Sequence, residues 1–81
     1  MAEELKLATA PWCGPCQMVK KMISDKGLTL DMIDIDENPE FANRYGIRSI
    51  PTLLVFDENG TVVDQMIGNP GRIVEIIEKY Q

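Results

Sequence analysis

At 81 residues, 44% of them apolar, the chain is long enough for one domain with a compact but thin core, close to the smallest that folds unaided. Its net charge of −5 sets aside nucleic acid and anionic membrane as partners, since neither attracts an acidic chain without a basic patch. No apolar run approaches membrane-spanning length, and Met1-Ala2-Glu3-Glu4 is acidic where a secretory signal would be basic, so a cytoplasmic location is expected.

Residues Glu4 to Thr9 read as a first strand, with Leu5, Leu7 and Ala8 around a lone Lys6. Pro11 ends it, because proline cannot donate to a sheet ladder. A helix is expected from near Cys13 to about Lys26. Cys16, Val19 and Ile23 share one face, Met18 and Met22 lie alongside as core, and Lys20 and Lys21 form the solvated side. Gly27 supplies a left-handed cap. Thr29 to Asp36 follows as a second strand with Leu30, Met32, Ile33 and Ile35, completing a β-α-β unit with a right-handed crossover.

Asn38-Pro39 is a helix start: a capping side chain, then a proline whose missing N–H costs nothing there. The short helix carries Phe41, Ala42 and Tyr45 and stops at Gly46. Asp34, Asp36, Glu37 and Glu40 have two readings, a metal cluster or a solvated helix start, and the favourable field at a helix N-terminus supports the second. Pro51 to Phe56 is the most apolar run and is expected as a buried strand. Asn59-Gly60 then turns the chain, and Thr61 to Ile67 returns antiparallel. After the break at Gly68-Asn69-Pro70, a last helix from Pro70 to Tyr80 buries Ile73, Val74, Ile77 and Tyr80. The whole is an α/β chain ordered β-α-β-α-β-β-α. Its four-stranded mixed sheet is flanked by helices, with the hairpin antiparallel to the two crossover strands.

Both cysteines fall in Ala10-Pro11-Trp12-Cys13-Gly14-Pro15-Cys16, at the junction of the first strand and first helix. The spacing lets the thiols close a small ring where free backbone N–H groups and the helix dipole favour a thiolate. As a structural staple so short a loop would constrain the unfolded chain very little, and a cytoplasmic cysteine pair reads as catalytic. Zinc usually takes four Cys or His ligands. Two cysteines and no histidine leave only a metal bridged between two chains.

The string Trp12-Cys13-Gly14-Pro15-Cys16 resembles the active-site motif of thioredoxins. Asp34-Ile35-Asp36-Glu37-Asn38-Pro39 and Tyr45-Gly46-Ile47-Arg48-Ser49-Ile50-Pro51-Thr52-Leu53 are similar to that family's middle segment, and Gly68 matches its late glycine. The resemblance spans nearly the whole chain and implies one thioredoxin-like domain over residues 1–81. It implies a dithiol protein-disulfide reductase, with Cys13 as the exposed nucleophile and Cys16 as the buried resolving thiol. The redox-active Cys13–Cys16 disulfide would work without a bound cofactor or metal. Gly14 and Pro15 would set the turn between the sulfurs, and Pro51 would be cis and pack beside them, although a proline opening a strand is more often trans. Trp12, Ile50, Pro51 and Gly68 would form the substrate groove, with Trp12 as a contact residue rather than core. Ile50 would offer its backbone to a partner's extended segment. Disulfide-containing proteins are the implied substrates and a flavin-dependent thioredoxin reductase the implied electron source. A monomer is expected, since no helix has a spare apolar face.

The departures are specific. The family's first strand and helix are missing, which leaves a glutaredoxin-sized core. Leu7 and Met32 stand where thioredoxins carry a buried aspartate and its lysine, removing the usual acceptor for the Cys16 proton, and Thr9 replaces a tryptophan. Glutaredoxins usually have a tyrosine in the active-site string, a Thr-Val-Pro strand start and an aspartate pair after the late glycine. Here Ser49-Ile50-Pro51 and Gly68-Asn69-Pro70 stand instead, so glutathione binding is expected to be poor. A glutathione-coupled glutaredoxin and a non-catalytic binding subunit are the alternatives.

Overall fold

In a computed structural model that describes residues 3–81, the order is β1 (Glu4–Thr9), α1 (Gly14–Asp25), β2 (Asp31–Asp34), α2 (Pro39–Tyr45), β3 (Thr52–Phe56), β4 (Val62–Ile67) and α3 (Pro70–Tyr80). Met1 and Ala2, half of the acidic start, lie outside the described residues. The strands form one sheet in the order β2-β1-β3-β4. β1 runs parallel to β2, with Leu7 opposite Met32, and antiparallel to β3, with Leu7 opposite Leu53. β4 is antiparallel to β3 and therefore parallel to β1, so only one strand of the hairpin opposes the crossover pair, not both as the sequence suggested.

Side chains alternate across a sheet, and this divides the core. Leu5 and Leu7 of β1 and Leu53 and Val55 of β3 meet Val19 and Ile23 of α1 and Ile73, Ile76 and Ile77 of α3. On the other face Tyr45 of α2 meets Phe56 edge-on, with ring centroids 5.3 Å apart, and tilts against Phe41 at 4.9 Å. Covered on both faces, β3 is buried at all five positions, which is why it reads as an unbroken apolar run.

Where the structure departs from the sequence reading, local hydrogen bonds account for it. β2 spans four residues rather than eight: Asp34 turns the chain by accepting the Glu37 and Asn38 N–H groups, at 3.2 and 3.0 Å, on its carbonyl. Upstream, the Thr29 carbonyl accepts the Gln81 side chain instead of a ladder bond. Asn38 does not cap α2 with its side chain. Its Nδ2 donates to the Asp34 carbonyl at 3.0 Å and serves the preceding turn. In α3 the fourth buried residue is Ile76, while Tyr80, in the last turn, is only partly covered.

α1 ends as expected. Gly27, at φ +67°, donates to the Ser24 carbonyl and Leu28 donates to Ile23, and Leu28 packs on the cluster that contains Ile23. This double bond pattern needs a residue in the left-handed region, which glycine reaches without a Cβ clash.

Lys6, the one cation in β1, is accommodated by carboxylates at the sheet's far end from the cysteines: Nζ lies 2.9 Å from Asp31 and 3.5 Å from Glu4. The Asp31 hydrogen bond raises the ammonium above its usual 10.5. A raised value means that this stabilisation is complete below pH 10.5 and lost as pH climbs through the folded-state value. The difference in unfolding midpoint between wild type and Lys6→Gln should therefore be flat from pH 6 to about 10 and shrink in stronger alkali. A difference that varied across neutral pH would assign the effect to another group.

Candidate active site

The turn after β1 is closed by the Cys13 N–H donating to the Ala10 carbonyl at 3.2 Å, and it sets Cys13 as the N-cap of α1. Cys13 is extended (φ −89°, ψ 113°), with Gly14 and Pro15 forming the first exposed helical positions. Proline suits that first turn because its missing N–H has no intrahelical partner to lose. One turn on, Cys16 reaches back: the two cysteines form a disulfide, with Cα atoms 5.2 Å apart.

The Cys16 N–H donates to Cys13 Sγ at 3.2 Å. A sulfur in the N-cap position thus accepts an otherwise unpaired helix N–H. Once the pair is reduced, that contact and the helix dipole favour negative charge on Cys13.

Cys16 is fully buried and Cys13 is 5% exposed. The ranking follows the sequence reading, but Cys13 is not the exposed residue expected. It packs with Ala10 and Cys16 in a second apolar cluster against which Ile35 and Ile50 rest, so only a narrow part of it faces solvent. Ile35 is held there by its N–H donating to the Thr9 carbonyl at 3.0 Å, which continues the β1–β2 ladder one residue past β2.

The segment before β3 closes the other side. The Ile50–Pro51 peptide is cis, and the Ile50 carbonyl oxygen sits 3.8 Å from Cys13 Sγ, a contact only, because a disulfide sulfur has no proton to donate. Pro51 is buried, and its carbonyl accepts the Gly68 N–H at 2.8 Å. That bond joins the segment to the end of β4. Ile50 is thereby held against Cys13, Trp12 adjoins Cys13 in sequence and Gly68 is bonded to Pro51, which offers almost no surface of its own.

Trp12 is 68% exposed, a surface residue and not core. Its indole Nε1 donates to Asp36 Oδ2 at 2.8 Å, a partnership 24 residues apart that pattern reading missed. The only hint was a carboxylate in the loop after β2. Asp34 Oδ1 accepts the Asp36 N–H at 2.9 Å, so these carboxylates order a loop. Among the described residues no three His, Cys, Asp or Glu side chains come together as a metal set. Ile67 was also missed: it precedes Gly68, stands opposite Thr52 and is 56% exposed, extending the apolar rim.

Trp12 is the only tryptophan, so its fluorescence reads this bond directly. Asp36→Ala should change the emission spectrum while costing less than about 1 kcal/mol, because water replaces the lost acceptor of an exposed indole. Asp36→Asn, which keeps an acceptor oxygen, should change it less. Identical spectra for all three proteins would mean that the bond does not form in solution.

Leu7 is fully buried and Met32 is 40% exposed on the edge strand. Thr9 is also buried. The apolar Leu7–Met32 neighbours thus sit opposite each other in register, without a charge between them.

The Thioredoxin family profile matches residues 5–79. Thioredoxin from Bacillus subtilis is 45% identical over 79 residues, covering 88% of this chain and 75% of the relative. Thioredoxin 1 from a Nostoc species is 43% identical over 65 residues, covering 73% of this chain but 60% of the relative. The oxidised thioredoxin of Plasmodium falciparum superposes with a TM-score of 0.79 at 30% identity, covering 96% of this chain and 80% of that one. With a matching profile over nearly its full length, a relative 45% identical over 79 residues and a Cys13–Cys16 disulfide at the start of α1, the chain belongs to the thioredoxin family.

Proposed function

We propose that the protein is a dithiol protein-disulfide reductase, acting as one domain over residues 1–81. The observation that carries this reading is the unequal placement of a redox pair: Cys13 meets solvent at the N-terminus of α1 while Cys16 is wholly covered. In the reduced protein Cys13 attacks a substrate disulfide as a thiolate. It forms a mixed disulfide and releases one substrate thiol. Cys16 then attacks Cys13 Sγ, releasing the second substrate thiol and leaving the Cys13–Cys16 disulfide. Two electrons pass from the cysteine pair to the substrate. Trp12, Ile50 and Gly68, with Ile67 beyond them, form the face that receives the substrate chain, and Pro51 fixes Ile50 against the sulfur. Ile50 offers its backbone to an extended substrate segment.

A flavin-dependent thioredoxin reductase is the proposed electron source, and the cytoplasm, where thiols are kept reduced, is the proposed setting for a monomer. No helix among the described residues is long and apolar enough to cross a membrane. The test supplies the oxidised protein with NADPH and thioredoxin reductase, or with glutathione, and follows reduction of a disulfide-containing protein such as insulin. Turnover with the reductase and little with glutathione is the expected result. Efficient turnover with glutathione alone would assign the glutaredoxin role, and binding of partners unaffected by loss of both thiols would assign a non-catalytic one.

A further inference from the structure

Cys16 has no surface and lies among Ala10, Cys13, Ile35 and Ile50. Among the described residues, the charged groups on the elements around it are wholly or partly exposed or bonded to other groups. On α1, Lys21 pairs with Asp25 on the surface and Lys20 is half-exposed. On β1, Lys6 is tied to Asp31 and Glu4 at the far end of the sheet. After β2, Asp34 Oδ1 is engaged by the Asp36 N–H and Asp36 Oδ2 by Trp12. Arg48, before the cis peptide, is exposed, and β3 carries no charge. On α3, Arg72 and Glu75 pair with each other. Leu7 and Ala8, fully buried in β1, bring no polar side chain.

Resting on the reductase reading, we infer that Cys16 resolves the mixed disulfide without a protein base, so that its own ionisation limits the step. An apolar surround disfavours a thiolate, whereas Cys13 has the helix terminus to favour it. The fraction of Cys16 able to attack is then small at neutral pH and grows with pH. The step balances as Cys16–S⁻ forming a bond to Cys13 Sγ while the Cys13–substrate S–S bond breaks and the substrate leaves as thiolate. The proton lost from Cys16 beforehand goes to water. The mixed disulfide consequently lives longer as pH falls, a property that would lengthen contact with partners in acidified surroundings.

Stopped-flow reaction of the reduced wild-type protein with excess dithiobis-nitrobenzoate separates the steps. A first release of thionitrobenzoate reports attack by Cys13, and a second, independent of reagent concentration, reports attack by Cys16. The second rate is expected to rise about tenfold per pH unit between pH 6 and 8, because a thiol below its ionisation midpoint gains thiolate in that proportion. A second rate that stays level over that range overturns the inference. Asp34→Asn, which retains the acceptor oxygen for the Asp36 N–H, should leave the second profile unchanged. A fall of threefold or more would make Asp34 the base and overturn it equally. Absence of the first release would instead count against the reductase reading itself.

Discussion

Replacing Cys16 with serine is expected to turn a transient mixed disulfide into a stable covalent complex with substrate, while Cys13→Ser abolishes turnover. The two sulfurs are not equivalent. Cys13 caps α1, accepts the Cys16 N–H at 3.2 Å and has what solvent contact the pair retains; Cys16 has none. Losing the nucleophile should lower the rate of protein-disulfide reduction by on the order of a thousandfold or more. Losing the resolving thiol should stop multiple turnover at the covalent stage, visible as a higher band on non-reducing gels that collapses with reductant. Equal residual activity in the two variants, or trapping by Cys13→Ser instead, would reverse the roles.

The second large effect is on stability. Leu53 is fully buried in the central strand, opposite Leu7, and belongs to the cluster that α1 and α3 cover. Leu53→Ala should cost about 2–5 kcal/mol, the range for a buried leucine that leaves a cavity behind. A chain of this size has only ~4–12 kcal/mol in all. At about 4–8 °C per kcal/mol for so small a domain, the melting temperature should fall by at least about 8 °C. Val63→Ala on β4, where the side chain is 52% exposed, should stay within ~0.5 kcal/mol. Similar shifts in both variants would show that the cluster between the sheet and the two helices is not where the stability resides.

These expectations share a geometric origin. β1 ends beside the Cys13 turn, the cis-proline immediately precedes β3, and the Gly68 N–H just after β4 bonds to the Pro51 carbonyl. Three strands thus deliver their ends to one point. The N-terminus of α1, whose field favours a thiolate, lies at those same strand ends.

The amino-acid order by itself determined the elements. Apolar spacing at Cys16, Val19 and Ile23 fixed the buried face of α1, the run from Thr52 to Phe56 gave a strand buried on both sides, and Gly27 and Gly46 stopped their helices. Those features are local, because backbone preference and periodicity act over a few residues. It also pointed to the redox chemistry, through the string Trp12-Cys13-Gly14-Pro15-Cys16 at the junction of a strand and a helix. Only the tertiary structure decided how far Cys13 is covered, because that depends on Ile35 and Ile50, residues brought in from two other segments. It likewise decided that Trp12 is held by Asp36, because that partner is chosen by which groups meet in space, whatever their distance along the chain.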